Sequence, residues 1–167
     1  MTPPPLFARK LDLLHGRVDM THGGGGRAMV QLVSEIFAAV LDNEFLAQGN
    51  DTAVLPHPAG RIVMSTDAYV VSPLFFPGGD IGSLAAHGAI NDVAMSGARP
   101  LYLSAAFIIE EGFPLADLAC IVRSMAAACR EAGAGVGRGI TSIVCNSLTL
   151  KRCVCPVDER SKPSTPP

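Results

Sequence analysis

An α/β (α+β) domain, with a small mixed sheet and helices on one of its faces, is the fold class that the sequence predicts. Apolar residues switch between helical and strand spacing in the order helix, strand, strand, helix, strand, helix. Two of the helical stretches carry their own start and stop residues, Asp80 with Gly97 and Pro114 with Gly133. The chain has 167 residues, 49% of them hydrophobic, which suits one domain with a real core.

Taken in order, residues 1–20 are expected to form a mostly extended tail, opened by Pro3, Pro4 and Pro5. Leu6, Leu11, Leu13 and Leu14 give it apolar side chains with which to dock, for instance on a second subunit. A glycine cluster, Gly23 to Gly26, leads into a helix over 28–42. Its Met29, Val33, Ile36, Phe37, Val40 and Leu41 recur at helical spacing. A short strand is expected over 52–55, a turn over 56–60 and a β-rich strand over 61–71. Pro73 and Pro77-Gly78-Gly79 break that strand. Asp80 then caps a helix that runs to about Ser96 and stops at Gly97. Pro100 opens a strand over 101–109, followed by a helix over 114–132. Leu118, Ile121, Val122, Met125 and Cys129 form that helix's buried stripe. Gly135 and Val136 begin a fourth strand. From Gly137 the pattern fades, apart from an apolar run over 140–150. Residues 151–167 are assigned to a tail, and the polar, Pro-rich 156–167 are expected to be disordered.

Composition excludes several classes of function. A net charge of −2 gives no bulk attraction to nucleic acid. Aromatic residues make up 5% and Trp is absent, so a base-stacking surface is not expected. No apolar run reaches the length of a membrane span, and the N-terminus lacks the apolar core of a signal peptide. Five cysteines at irregular spacing do not form a disulfide framework, so a reduced, cytoplasmic setting is expected.

Chemistry concentrates in the acids and the glycines. Asp51, Asp67 and Asp92 stand at the ends of strands and helices. Any one of them reads as a cap or a solvated loop residue. Together they suit Mg²⁺, which takes one or two carboxylates and leaves the rest to phosphates and water. The N–H groups of Gly23 to Gly26, ahead of a helix N-terminus, can cradle phosphate, although a flexible loop is the alternative reading. This is not a Walker loop, because no Gly-Lys-Ser/Thr follows. His22 adjoins the cluster. His15, His57 and His87 read as surface or packing residues, and Glu110 with Glu111 as a solvated turn. Cys153-Val154-Cys155, with Cys145, lacks the second pair or nearby His that a zinc site needs. Cys120 and Cys129 read as small packing residues on a helix.

These motifs carry a resemblance. Thr21-His22-Gly23-Gly24-Gly25-Gly26 is similar to the glycine motif of the HypE family of hydrogenase maturation factors. STDAYVVSPLFFPGGDIGSLA at 65–85 resembles that family's hallmark segment, and AINDVAMSGARPLYLSAAFIIEEGFPL at 89–115 the next one. The resemblance covers roughly 19–136. The wider PurM and selenophosphate-synthetase-like superfamily includes thiamine-monophosphate kinase and aminoimidazole ribonucleotide synthetase.

The resemblance implies a PurM N-terminal-like domain whose sheet pairs with another subunit in a barrel-like homodimer. It implies ATP and Mg²⁺ as ligands of a domain spanning 21–150. Asp51, Asp67 and Asp92 carry over as Mg²⁺–phosphate residues, with Asn91 beside them. His22, Gly23, Gly25 and Gly26 match the glycine segment near the phosphates. No residue of this chain carries over as catalytic. The family's activity is ATP-dependent dehydration of a carboxamide on its own C-terminal Cys to a thiocyanate, the source of cyanide for [NiFe]-hydrogenase. Its partners are the carbamoyltransferase HypF and the HypC–HypD complex.

The sequence also departs from that pattern. Gly137-Arg138-Gly139-Ile140 stands where the family runs on into Gly-Asp-Thr-Lys, and Gly24 where it usually has Ser. A second domain and the terminal Cys are not found. The expectation is that residues after about 136 come from a shifted reading frame or a truncated gene copy, and that the chain alone is inactive. The alternatives are a non-catalytic dimerisation or nucleotide-binding module, or another enzyme of the superfamily such as selenophosphate synthetase.

Overall fold

The computed structural model describes residues 7–44, 46–48, 52, 54–56, 59–137 and 153–157. In chain order its elements are α1 (Met20–Gly23), α2 (Arg27–Leu32), β1 (Arg61–Ser65), β2 (Phe75–Phe76), β3 (Gly79–Asp80), α3 (Ile81–Met95), β4 (Tyr102–Ser104), α4 (Leu115–Glu131), β5 (Gly135–Gly137) and β6 (Cys153–Val157). A π-helical stretch, Val33–Ala38, continues α2. A short 3₁₀ turn covers Leu46–Gln48.

Four strands form a mixed sheet in the order β1-β6-β4-β5. β6 is antiparallel to both β1 and β4, whereas β4 and β5 run parallel. The two long helices pack on one another, and both also touch the sheet. Side chains alternate across a strand, so a half-covered sheet shows one buried and one open face. Val63 on β1 packs against the core and Leu103 on β4 is buried, while Ile62 and Met64 are 52% and 57% exposed. This is the expected α/β arrangement.

Both long helices end where their sequence says they should. The Asp80 side chain accepts hydrogen bonds from the N–H groups of Gly82 and Ser83, and the Ser83 hydroxyl accepts from the Asp80 N–H. This reciprocal cap satisfies donors that an open helix start would leave bare. At the other end Gly97 takes φ 71°, and Gly133 does the same after α4 with φ 67°. Ahead of α3, β2 and β3 form a small hairpin across Pro77-Gly78, with Gly78 at φ 95°. A proline followed by a positive-φ glycine is the combination that a type II turn needs.

The core lies between the helices and the sheet. Ile81, Ala85, Ala86, Ala89 and Val93 of α3 face Leu118, Ile121, Val122 and Met125 of α4 and its neighbours. Small residues on α3 allow close approach: a Cβ at Gly82 would collide with the Ile121 carbonyl oxygen and the Ser124 hydroxyl. Phe37 and Phe107 meet edge to face, 4.9 Å apart at 64°.

Several elements differ from the sequence expectations. The strand expected over 61–71 ends at Ser65, and that over 101–109 covers Tyr102–Ser104. Past Ser104 the burial alternation continues through Ala105, Phe107 and Ile109, so the chain stays extended without belonging to a strand. β-branched composition reports extension and burial, not ladder partners. Thr52, Val54 and Leu55 lie in no strand; the rest of the 52–55 expectation falls outside the described residues. The helix expected over 28–42 starts at Arg27 and widens into a π-helical stretch after Leu32, where adjacent Ile36 and Phe37 both lie in the core. Pro156 and Val157, expected to be disordered, belong to β6, and 158–167 lie outside the described residues.

The expected N-terminal tail is also more than a tail. Val18 is 1% exposed. Its N–H donates to Phe113 O at 2.8 Å, and its carbonyl accepts from Gly112 N at 2.7 Å. Leu115 N donates to Gly16 O at 3.0 Å. Residues 16–18 are thus stitched beside the start of α4, and Glu35 accepts from the Leu11 N–H.

Candidate functional site

Asp67 follows the end of β1 by two residues, and Asp92 on α3 is tied back to that strand end. β1 ends at Ser65, and the chain then leaves the sheet and carries Tyr69 onto α3. The ring sits on the backbone of Gly88, where an added Cβ would overlap the Tyr69 hydroxyl and ring carbons. Burial pushes the Tyr69 phenol above its ordinary range, and the nearby Asp67 and Asp92 carboxylates push it the same way. From the end of β1, Ser65 Oγ donates to Asp92 Oδ2 at 3.0 Å. Asp67 Oδ1 accepts the Ala68 N–H at 2.8 Å.

Both carboxylates remain exposed. Among the described residues no group of three or more His, Cys, Asp or Glu side chains gathers as a metal cluster. A two-carboxylate set still fits Mg²⁺, which needs one or two protein carboxylates when phosphate and water supply the other oxygens. Asp51, the third expected acid, lies outside the described residues. Asn91 precedes Asp92 on α3 and is exposed.

The glycine segment forms the junction between α1 and α2. Gly23 ends α1, Gly24 caps it, Gly25 takes φ 71° and Gly26 is the N-cap of α2. A Cβ at Gly25 or Gly26 would meet nothing within 4 Å, so the backbone here faces open space. His22 points the other way: it is 6% exposed. Its Nδ1 accepts the Asp19 N–H at 3.0 Å, and Asp19 in turn caps α1 through the Thr21 N–H. The histidine therefore holds the start of the glycine segment. Asp80, buried but not predicted for the site, accepts from Ser124 Oγ and fixes α3 to α4. Sequence reasoning missed Ser65, Tyr69 and Gly88. An isolated glycine inside a helical pattern was the available signal for the last.

The fold defines a class. The chain belongs to the family described as AIR synthase related protein, N-terminal domain, which matches residues 49–154. Within that class it is similar to the N-terminal part of HypE proteins. It is 67% identical over 135 residues to the carbamoyl dehydratase HypE of Azotobacter vinelandii, covering 81% of this chain and 40% of the relative. The crystal structure of hydrogenase maturation protein HypE in complex with ATP superposes with a TM-score of 0.81 at 44% identity, covering 87% of this chain and 45% of that one. A crystal structure of a HypE–HypF complex gives a TM-score of 0.56 at 46% identity, covering 77% of this chain and 43% of that one. The chain thus spans about 40% of the length of the curated relatives it matches. Among the described residues no helix is long and apolar enough to cross a membrane.

Proposed function

We propose that this chain supplies the ATP-binding part of a HypE-type carbamoyl dehydratase acting in hydrogenase maturation. The observation that carries the reading is the hydrogen bond that ties Asp92 of α3 to Ser65 at the end of β1, two residues before Asp67, within segments that resemble the family's hallmark wording. Asp67 and Asp92, with Asp51, would hold Mg²⁺; Gly23, Gly25 and Gly26 would donate N–H groups to phosphate, with Asn91 beside the ion and His22 bracing the loop. When bound, Mg²⁺ neutralises phosphate charge, which is most of what a protein contributes to phosphoryl transfer. In the whole enzyme the carboxamide oxygen takes the γ-phosphoryl group and ADP leaves. Loss of phosphate from carbon and of both nitrogen-bound protons then yields the nitrile of a thiocyanate. The partners are HypF, for which the HypE–HypF structure is support, and HypC–HypD by resemblance. A reduced cytoplasmic setting fits this role.

The open sheet face supports pairing with a second copy. Ile62 and Met64 would leave water when two sheets meet, each full burial contributing about 1.5–3 kcal/mol. The same face supports the second reading, a dimerisation module without catalysis. Equilibrium dialysis of ATP against the chain, with Mg²⁺ or with EDTA, tests the primary reading, and light scattering under the same conditions tests the second. ATP retained only with Mg²⁺ is expected. A dimer that ignores nucleotide and retains none would replace the first reading by the second.

A further inference from the structure

The glycine segment is held to the body of the domain at one point. Between Val18 and Ala28 every residue is exposed except His22, which is 6% exposed. Before the segment the chain is pinned at Val18, whose N–H and carbonyl bond to Phe113 and Gly112 ahead of α4. After it the chain is pinned where Leu32 of α2 enters the core. The run between carries four glycines, whose backbone loses the most freedom on ordering. The four-residue α1 is too short to hold itself, since one isolated turn costs more than it returns. Its support is the reciprocal box. Asp19 accepts from the N–H and hydroxyl of Thr21, and His22 Nδ1 accepts the Asp19 N–H at 3.0 Å in return.

We propose that His22 is a positioning residue for a nucleotide's phosphate tail. It sets where the N–H groups of Gly23 to Gly26 stand without touching the phosphates itself, so the grip on the tail depends on the Asp19–His22 box. The proposal rests on the reading of that segment as phosphate-binding. A buried ring beside a backbone that opens to solvent suits an anchor and not a contact. A segment that is ordered only part of the time binds with its affinity reduced by the ordered fraction. Losing one helix cap shifts such an equilibrium about 2- to 30-fold.

The test is hydrogen exchange of the full chain, read over residues 19–27 and over α4, with and without Mg²⁺–ATP, paired with calorimetric titration of Mg²⁺–ATP. In the parent, ATP is expected to slow exchange over the glycine segment. His22→Ala is expected to exchange faster over 19–27 without nucleotide and to bind Mg²⁺–ATP about tenfold more weakly, with α4 unchanged. His22→Gln, whose amide oxygen accepts the Asp19 N–H as in the usual capping box, is expected to restore both. Parental affinity in His22→Ala, in a chain whose glycine segment ATP does slow, would overturn the proposal and leave the phosphate reading standing. Faster exchange in α4 as well, or no restoration by His22→Gln, would mark a general packing role and overturn it too. Glycine amides that exchange equally fast with and without bound ATP would remove the phosphate reading and the proposal with it.

Discussion

Ser65 Oγ donates a 3.0 Å hydrogen bond to Asp92 Oδ2, across 27 residues of sequence. It joins the last residue of β1 to the fourth turn of α3 and turns one carboxylate of the proposed site towards the strand. Ser65→Ala is expected to weaken Mg²⁺–ATP binding by about 1 kcal/mol, the ordinary net worth of one hydrogen bond or somewhat more for a charged acceptor. Both partners are reached by solvent, so stability should barely change. Paired calorimetric and thermal-melt measurements check this; a large drop in melting temperature would show a structural role instead.

Asp80 has a purely structural part to play. It is 7% exposed and accepts from Gly82 N, Ser83 N and Ser124 Oγ. Asp80→Ala removes an N-cap and leaves the Ser124 hydroxyl without this acceptor. Losing a cap costs about 0.5–2 kcal/mol, and the lost link to α4 adds to it. Urea denaturation should show a destabilisation of about 2 kcal/mol.

Gly82 lies where α3 packs tightly against α4. A Cβ there meets the Ile121 carbonyl oxygen, which is backbone and cannot swing away. Gly82→Ala is expected to destabilise by at least about 1–3 kcal/mol, the usual cost of overpacking, despite alanine's better helix propensity. A stabilised variant in the same denaturation assay would show that the helices are not so close.

Burial pushes the Cys129 thiol from its ordinary value of 9.0 up to about 11, with the Arg130 charge acting weakly in the opposite sense. The folded state therefore holds this proton more tightly than the unfolded state does. The resulting stability is fully present below pH 9.0 and is lost as pH rises to about 11. Its size is at most about 2–3 kcal/mol. Tyr69 adds a loss of the same sign above its own ordinary value of 10.0. Cys129→Ala should remove the thiol's share, so that its stability falls less steeply than the parent's between pH 9 and 11. In native protein a thiol reagent should modify exposed Cys120 well before Cys129.

The parts of this fold that were legible in the sequence are those fixed locally. Asp80, Gly97, Pro114 and Gly133 bound α3 and α4 within a residue, because caps and left-handed stops are decided by neighbouring backbone. Strand ends depend on distant partners, so the extended runs after Ser65 and Ser104 looked like strand and are not. The widened turn at Val33–Ala38 left no trace in a helical periodicity. Asp19-x-x-His22 acts as a capping box with histidine in the place usually held by Glu or Gln, which is why the burial of His22 was not foreseen. Tyr69 reads in the sequence as one more β-forming residue, and only the fold sets its ring against the backbone of Gly88.

Titration of Mg²⁺–ATP into the parent chain and into the Asp67→Asn, Asp92→Asn double variant measures the claim on which the rest depends. The account predicts Mg²⁺-dependent binding by the parent and a loss of at least about tenfold in the variant, with the melting temperature little altered, since both carboxylates are exposed. Equal affinities in the two proteins would contradict it.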